Sequence, residues 1–281
     1  MDAFISPTLN NNTRFETLLR KAIEFPGIRV DRAAFLRRVL SKYFNEATVE
    51  RAITANPAQA GIDPCALERI TKACINRETR RVSLISAATG IKGGVVLFAA
   101  IPADTVQFFV HVLRVLQKLA YLYGWQEMFT NGEEDFGDET NNRLTLFIGA
   151  MFGVEIANQA LNKIAFVAAQ NVPGQLLGQI LTKATIYPII RRVAANIGAK
   201  MTKAVFAKSI GKIKPVIGAA ASGGITYAIF KPMANRLKRY LSSLPTANTT
   251  FYTAPPSDII SEVDFSDINI SEENIKEAHY A

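Results

Sequence analysis

The chain has 281 residues, of which 49% are hydrophobic, so it can bury a core and the bulk of it is not intrinsically disordered. Its two cysteines and two histidines, Cys65, Cys74, His111 and His279, form no CxxC and no His/Cys cluster, so no disulfide framework, metal site or cofactor is expected. The formal net charge is +8 with a mean hydropathy of +0.12, a combination that calls for very apolar helices beside strongly charged stretches.

The first twenty residues lack the basic start and apolar run of a signal peptide, which with the sparse cysteines gives the expectation of a reducing, cytosol-facing location. Residues 14–56 read as mixed-charge helices, with Phe35, Leu36, Val39, Leu40, Tyr43 and Phe44 at helical spacing. The Pro, Gly and Asn of residues 56–64 predict a turn, and a second helical run over 65–89 carries a basic cluster at Arg77, Arg80 and Arg81. Residues 1–89 are thus expected as a helical region of their own.

The character changes at Gly90. An apolar run from Gly93 to Ile101 leads through Ile101-Pro102 into a helix over 104–123. There Phe109, Val112, Leu113, Leu116, Leu119, Ala120 and Tyr123 share one stripe, and Gln107, His111, Arg114 and Lys118 the opposite one. Residues 131–142, rich in acids, Asn and Gly, predict a polar surface loop. Helices follow over 144–170, 175–187 and 189–210. Residues 215–230 are uncharged and rich in Gly, Ala and Ser, a composition suited to close helix packing but short of the about 20 apolar residues that span a bilayer. After Leu244-Pro245 the chain turns polar and acidic, so 246–281 are expected to be a disordered acidic tail. No alternating β-branched runs occur, so the fold class is all-α: a helical bundle with two apolar, Gly/Pro-bent hairpins (82–123 and 205–240), whose apolar and basic core spans 90–245.

Charge is the strongest signal. Residues 144–250 carry 13 basic groups and one acid, Glu155, and no Asp or Glu occurs from Ile156 to Ser257. Such a stretch is expected to face something anionic. Anionic membrane lipids are preferred, because each Lys or Arg near such a surface adds about 1 kcal/mol. The residues expected to bind them are Lys183, Arg191, Arg192, Lys200, Lys203, Lys208, Lys212, Lys214, Arg236, Lys238 and Arg239. Nucleic acid is disfavoured, since Phe166, Tyr187, Phe206, Tyr227 and Phe230 sit inside apolar patterns instead of beside the basic residues as stacking platforms. The tail, with net charge −6 over 251–281, is an internal candidate for shielding the basic region.

Catalytic chemistry finds little support. GxxxxGK[ST], GxSxG and HExxH are all absent. The acids Glu133, Glu134, Asp135, Asp138 and Glu139 belong to a wet loop, which does not suit acid–base work, with a divalent-cation site made by Asp135, Asp138 and Glu139 as the minor alternative. His111 has no sequence partner. Glu155 stands on an otherwise apolar helix, where an interhelical salt bridge is the ordinary expectation and convergence with Asp104 and His111 the enzymatic one. No enzymatic activity is expected.

The segment containing Ile101, Pro102, Ala103 and Asp104, then Tyr123 and Gly124, resembles the EcsC protein family, in which an apolar helix passes through an I-P-A-D-like bend to a long helix ending in Tyr-Gly. The later KPVIGAAASGGITYAIFKPMANRLKRYL is similar to the closing hairpin of that family and to DUF697-type domains appended to some bacterial GTPases. The resemblance covers roughly residues 30–240; the acidic loop and tail have no counterpart in it. It implies a bacterial, membrane-associated helical protein without an established reaction. The expected function is therefore non-enzymatic: modulating a membrane system, or permeabilising the membrane in stress or defence, at its cytoplasmic face, with a membrane-protein partner open. The alternatives are a soluble adaptor that binds a partner in a helical groove, and an enzyme acting on an apolar, lipid-like substrate.

Overall fold

Short polar side chains start the N-terminal helices by accepting the first free backbone N–H groups. In the structure, a computed structural model, α1 (Pro7–Ile23) is followed by α2 (Arg32–Leu40), where the Asp31 carboxylate accepts from Ala34 N at 2.7 Å. The Asn45 side chain does the same for α3 (Glu46–Thr54) through Thr48 N at 2.9 Å. Asp63 accepts from Ala66 N at 2.9 Å ahead of α4 (Pro64–Ile91). The residues described are 7–91, 103–129, 137–170, 178–181, 184–210, 215–252, 265–266 and 268.

Two glycines end helices in the left-handed region. α5 (Ala103–Leu122) closes at Gly124 (φ +91°), with Trp125 N donating to Ala120 O at 3.0 Å. α6 (Asp138–Phe152) closes at Gly153 (φ +70°), with Val154 N donating to Gly149 O at 2.9 Å. Both are the paired C-terminal bonds that a positive φ permits. The single helix expected over 144–170 is therefore two, α6 and α7 (Glu155–Ala169). The expected loop over 131–142 also ends early: Asp138 and Glu139 lie in the first turn of α6, where negative charge meets the positive helix end. A helical turn at 178–181 and a 3-10 turn (Ala184–Ile186) precede α8 (Tyr187–Ile210). α9 (Pro215–Ser242) then runs on through its internal Pro232. Two further 3-10 turns, Pro245–Ala247 and Thr249–Tyr252, follow. The described residues contain no strand, and the protein is an all-α bundle.

α5 is the central helix, packed against α1, α2, α4, α6 and α9. Val112, Leu113, Val115, Leu116, Leu119, Ala120 and Tyr121 are fully buried, so apolar residues cover more of this helix than the one stripe expected. Its opposite, polar stripe is also covered: Lys118 is buried, and His111 and Arg114 are partly buried. α4 and α9, the two longest helices, pack along each other, with Glu68 near the start of α4 beside Lys238 near the end of α9, so they run antiparallel. α4 and α5 are antiparallel too, since Thr71 meets Tyr123 and Glu78 meets His111.

One apolar core draws on Phe15 and Leu36 from the N-terminal region, Leu116 and Phe147 from the middle, and Leu241 and Leu244 beyond. Phe15 stacks edge-on against Phe109 at 6.1 Å between ring centres. The composition boundary near 90 therefore does not divide the core, because the mixed-charge helices turn their apolar faces onto α5 and α8. Nor does the chain leave the fold at 246, as the expected disordered tail required. Thr246 is fully buried, Phe251 packs on Phe166, and Tyr252 Oη accepts from Asn56 Nδ2 at 3.1 Å. Phe265 and Ile268 belong to the core, so part of the acidic tail has apolar anchors; residues 253–264 and 269–281 lie outside the described residues.

Candidate functional site

The sequence pointed to the basic residues of 183–239, and the structure gives them different tasks. Arg191 and Arg239 are exposed, and Arg192 is partly buried. Lys200 reaches from α8 to the end of α6, donating to Phe152 O at 3.0 Å and Gly153 O at 3.1 Å. Arg236 approaches the same end from α9: its guanidinium donates to Met151 O at 3.3 Å and lies across Gly153. Two cations thus complete the C-terminal carbonyls of α6, where helix dipole and unpaired acceptors both favour positive charge. Lys238 is 8% exposed and donates to Glu68 at 2.9 Å. Lys200 and Lys238 therefore direct their charge inward, while Arg236 stays exposed as it reaches Met151 O. The side chains of Lys203 and Lys208, and Lys183, Lys212 and Lys214 altogether, lie outside the described residues.

A polar seam between α4 and α5 was not foreseen. Glu78, 1% exposed, accepts from His111 Nδ1 at 3.5 Å and is paired with Lys118. Arg81 lies 3.6 Å away at the rim. Burial pushes the Glu78 carboxyl up, but the hydrogen bond from His111 and the charge of Lys118 outweigh it and hold the group down at about 2. One turn before it lies Cys74, whose thiol burial pushes up to about 11, an unreactive state. Thr71, a turn earlier again, shares a hydroxyl contact with Tyr123 at 3.3 Å. Because Glu78 is both ionised and shut from solvent, it makes a poor general base. The seam sets the register of α4 on α5.

The residues that carried the resemblance have structural reasons where they can be seen. Ile101 and Pro102 lie outside the described residues, Ala103 opens α5, and Asp104 follows it in the first turn, its side chain not described. Tyr123 joins the seam. Gly124 needs its positive φ, and a Cβ there would come within 2.4 Å of Thr246 O. Glu155 is exposed in the first turn of α7 and accepts from Asn158 Nδ2 at 3.3 Å, so it sits at the positive end of a helix instead of standing mid-helix on an apolar face. It is not brought to His111, which Glu78 holds. Of the acidic loop, Asp135 lies outside the described residues and Glu139 is paired with Arg143. Among the described residues no three His, Cys, Asp or Glu are grouped to hold a metal ion.

The basic cluster Arg77, Arg80 and Arg81 noted in the sequence is part of a larger surface feature, the outer face of α4. Arg69, Lys72, Arg77, Arg80, Arg81 and Leu84 are all exposed, while of the two acids of the helix Glu78 is buried and Glu68 lies half-exposed at the edge beside Lys72. Projecting the helix at 3.6 residues per turn would have revealed it, since Arg69 and Glu78 are about two and a half turns apart and so on opposite sides. Among the described residues no helix is long and apolar enough to cross a membrane. No family model, no curated protein and no solved structure matches this chain.

Proposed function

We propose that this chain is a non-enzymatic, EcsC-like helical protein that docks on the anionic, cytoplasmic face of a bacterial membrane and there modulates a membrane system or permeabilises the bilayer. The observation that carries the reading is topological. Because α5 and α9 both run antiparallel to α4, the end of α4, the start of α5, the end of α8 and the start of α9 lie at one pole of the bundle. These are the helix ends bordering the most apolar segment in the sequence, Gly93 to Ile101, and the lysine pair Lys212 and Lys214. Leu84, 71% exposed, stands on α4 toward that pole. Apolar groups beside basic ones suit the headgroup boundary of an anionic bilayer.

Co-sedimentation of the full chain with vesicles tests it. Binding is expected to vesicles containing phosphatidylglycerol and to be weak on phosphatidylcholine alone. A bound fraction that resists high salt marks apolar insertion at the pole, since adsorption by charge alone is screened. Absence of binding to either vesicle at low salt overturns the reading.

A further inference from the structure

We infer that the exposed face of α4, built from Arg69, Lys72, Arg77, Arg80, Arg81 and Leu84, is a membrane-contacting surface of this protein. The inference rests on the membrane reading above and assigns it a surface.

α4 places its basic residues and its acids on different sides. Helical rotation puts these six residues on one side of the helix, and all six are exposed. Ala73 and Asn76, which complete that side between them, are exposed and uncharged, so no acid interrupts it. The two acids of the same stretch are both paired. Glu78 is buried on the opposite side against Lys118 and His111, and Glu68 is held by Lys238 and Lys72, each at 2.9 Å. The buried Glu78 and the half-exposed Glu68 neutralise Lys118 and Lys238, with Arg81 and Lys72 at the edges of the face sharing them, and Arg69, Arg77 and Arg80 are left outside. Arg69, Arg77 and Arg80 make no ion pair among the described residues. Lys200 and Lys238, by contrast, spend their charge on acceptors inside the fold, and the exposed Arg236 donates to Met151 O.

Shape and chemistry then select the partner. From Arg69 to Leu84 the face is straight and about 22 Å long, a line of guanidinium groups suited to a plane of phosphates. Leu84 extends it toward the pole where the apolar segments begin, and 71% of it is in water. An exposed leucine behind arginines can enter the acyl boundary of a bilayer. It cannot stack on a base, and no aromatic side chain stands on this face, so a lipid surface fits better than a nucleic acid strand.

The test compares three full-length proteins on vesicles of phosphatidylglycerol and phosphatidylcholine: the wild type, the variant Arg69→Gln/Arg77→Gln/Arg80→Gln, and the variant Arg191→Gln/Arg239→Gln. Three arginines leaving an anionic surface are expected to weaken partitioning about a hundred-fold, while the second variant stays within a few-fold of wild type. A thiol-reactive, polarity-sensitive dye on Leu84→Cys in a Cys65→Ser background gives a second readout that survives if the arginine variant folds poorly. Its emission is expected to shift to the blue on vesicle addition, and the same dye on Arg239→Cys is expected not to. Equal binding by the arginine variant, or a blue shift at position 239 and none at 84, overturns this inference and leaves the membrane reading standing. Loss of binding in the Arg191/Arg239 variant alone overturns it likewise. Wild-type protein that ignores vesicles, or that prefers an oligonucleotide to them, overturns both.

Discussion

Glu78 shows how a carboxylate stays charged without water. Desolvation opposes ionisation, and the imidazole of His111 and the ammonium of Lys118 supply more than it removes. The folded carboxyl, at about 2, lies below the unfolded value of about 4.3. Its contribution is thus fully present above about pH 5 and is lost as pH falls through 4 toward 2. Glu78→Gln is expected to flatten the acid limb of a stability-against-pH curve. At neutral pH it should cost about 3–5 kcal/mol in urea unfolding, because Lys118 keeps a buried charge without its partner. The double variant Glu78→Gln/Lys118→Met should recover much of that loss. An unchanged acid limb in the single variant would mean that another carboxylate governs acid unfolding. Arg32 solves the same problem with carbonyls: buried, it donates to Ile53 O, Ala55 O and Trp125 O, closing the end of α3 onto α5.

Helix ends and crossings carry the element scale. α6 ends where a glycine, a lysine and an arginine from three different elements coincide, so a cation pair that looks like surface charge in sequence is a helix cap in space. The crossing beneath it is tight. A Cβ on Gly149 would meet Val193 Cγ1 at 2.5 Å and Ala157 Cβ at 2.6 Å, so α6, α7 and α8 approach there as only glycine allows. Gly149→Ala gains helix propensity of up to about 1 kcal/mol but forces α7 or α8 outward, an overpacking cost of about 1–3 kcal/mol. The net expectation is a lower denaturation midpoint, partly restored by adding Val193→Ala. A midpoint equal to or above wild type would show that the crossing has slack.

On the scale of the molecule, the chain returns to its own core after the last long helix. Thr246 lies against Gly124, Tyr252 reaches Asn56, and Phe265 and Ile268 are buried. A protein ending at Leu244 therefore loses apolar burial worth about 1.5–3 kcal/mol for each large side chain and should melt measurably lower than the full chain. Identical melting would mean that these segments pack without stabilising. Vesicle comparisons are accordingly made on the full chain, since truncation alters the fold along with its charge.

Sequence by itself determined the helices, because apolar spacing and Asn or Asp caps are local: α2, α3 and α4 lie where Asp31, Asn45 and Asp63 put them. It also determined the all-α class and the charge asymmetry, which depend only on composition and order. It could not say which charges face water. The pattern of α5 showed an apolar and a polar stripe, and α4 brings Glu78 to the polar one and turns it into an interior seam. The same step decided the candidate site. The arginine cluster noted in sequence became part of an acid-free outer face once Glu78 was buried and Glu68 was drawn to Lys238 at its edge, and three basic residues of the acid-free region were engaged by α6 and Glu68. Pairing between charges 40 to 170 residues apart in the chain is a property of packing, and only the tertiary structure can assign it.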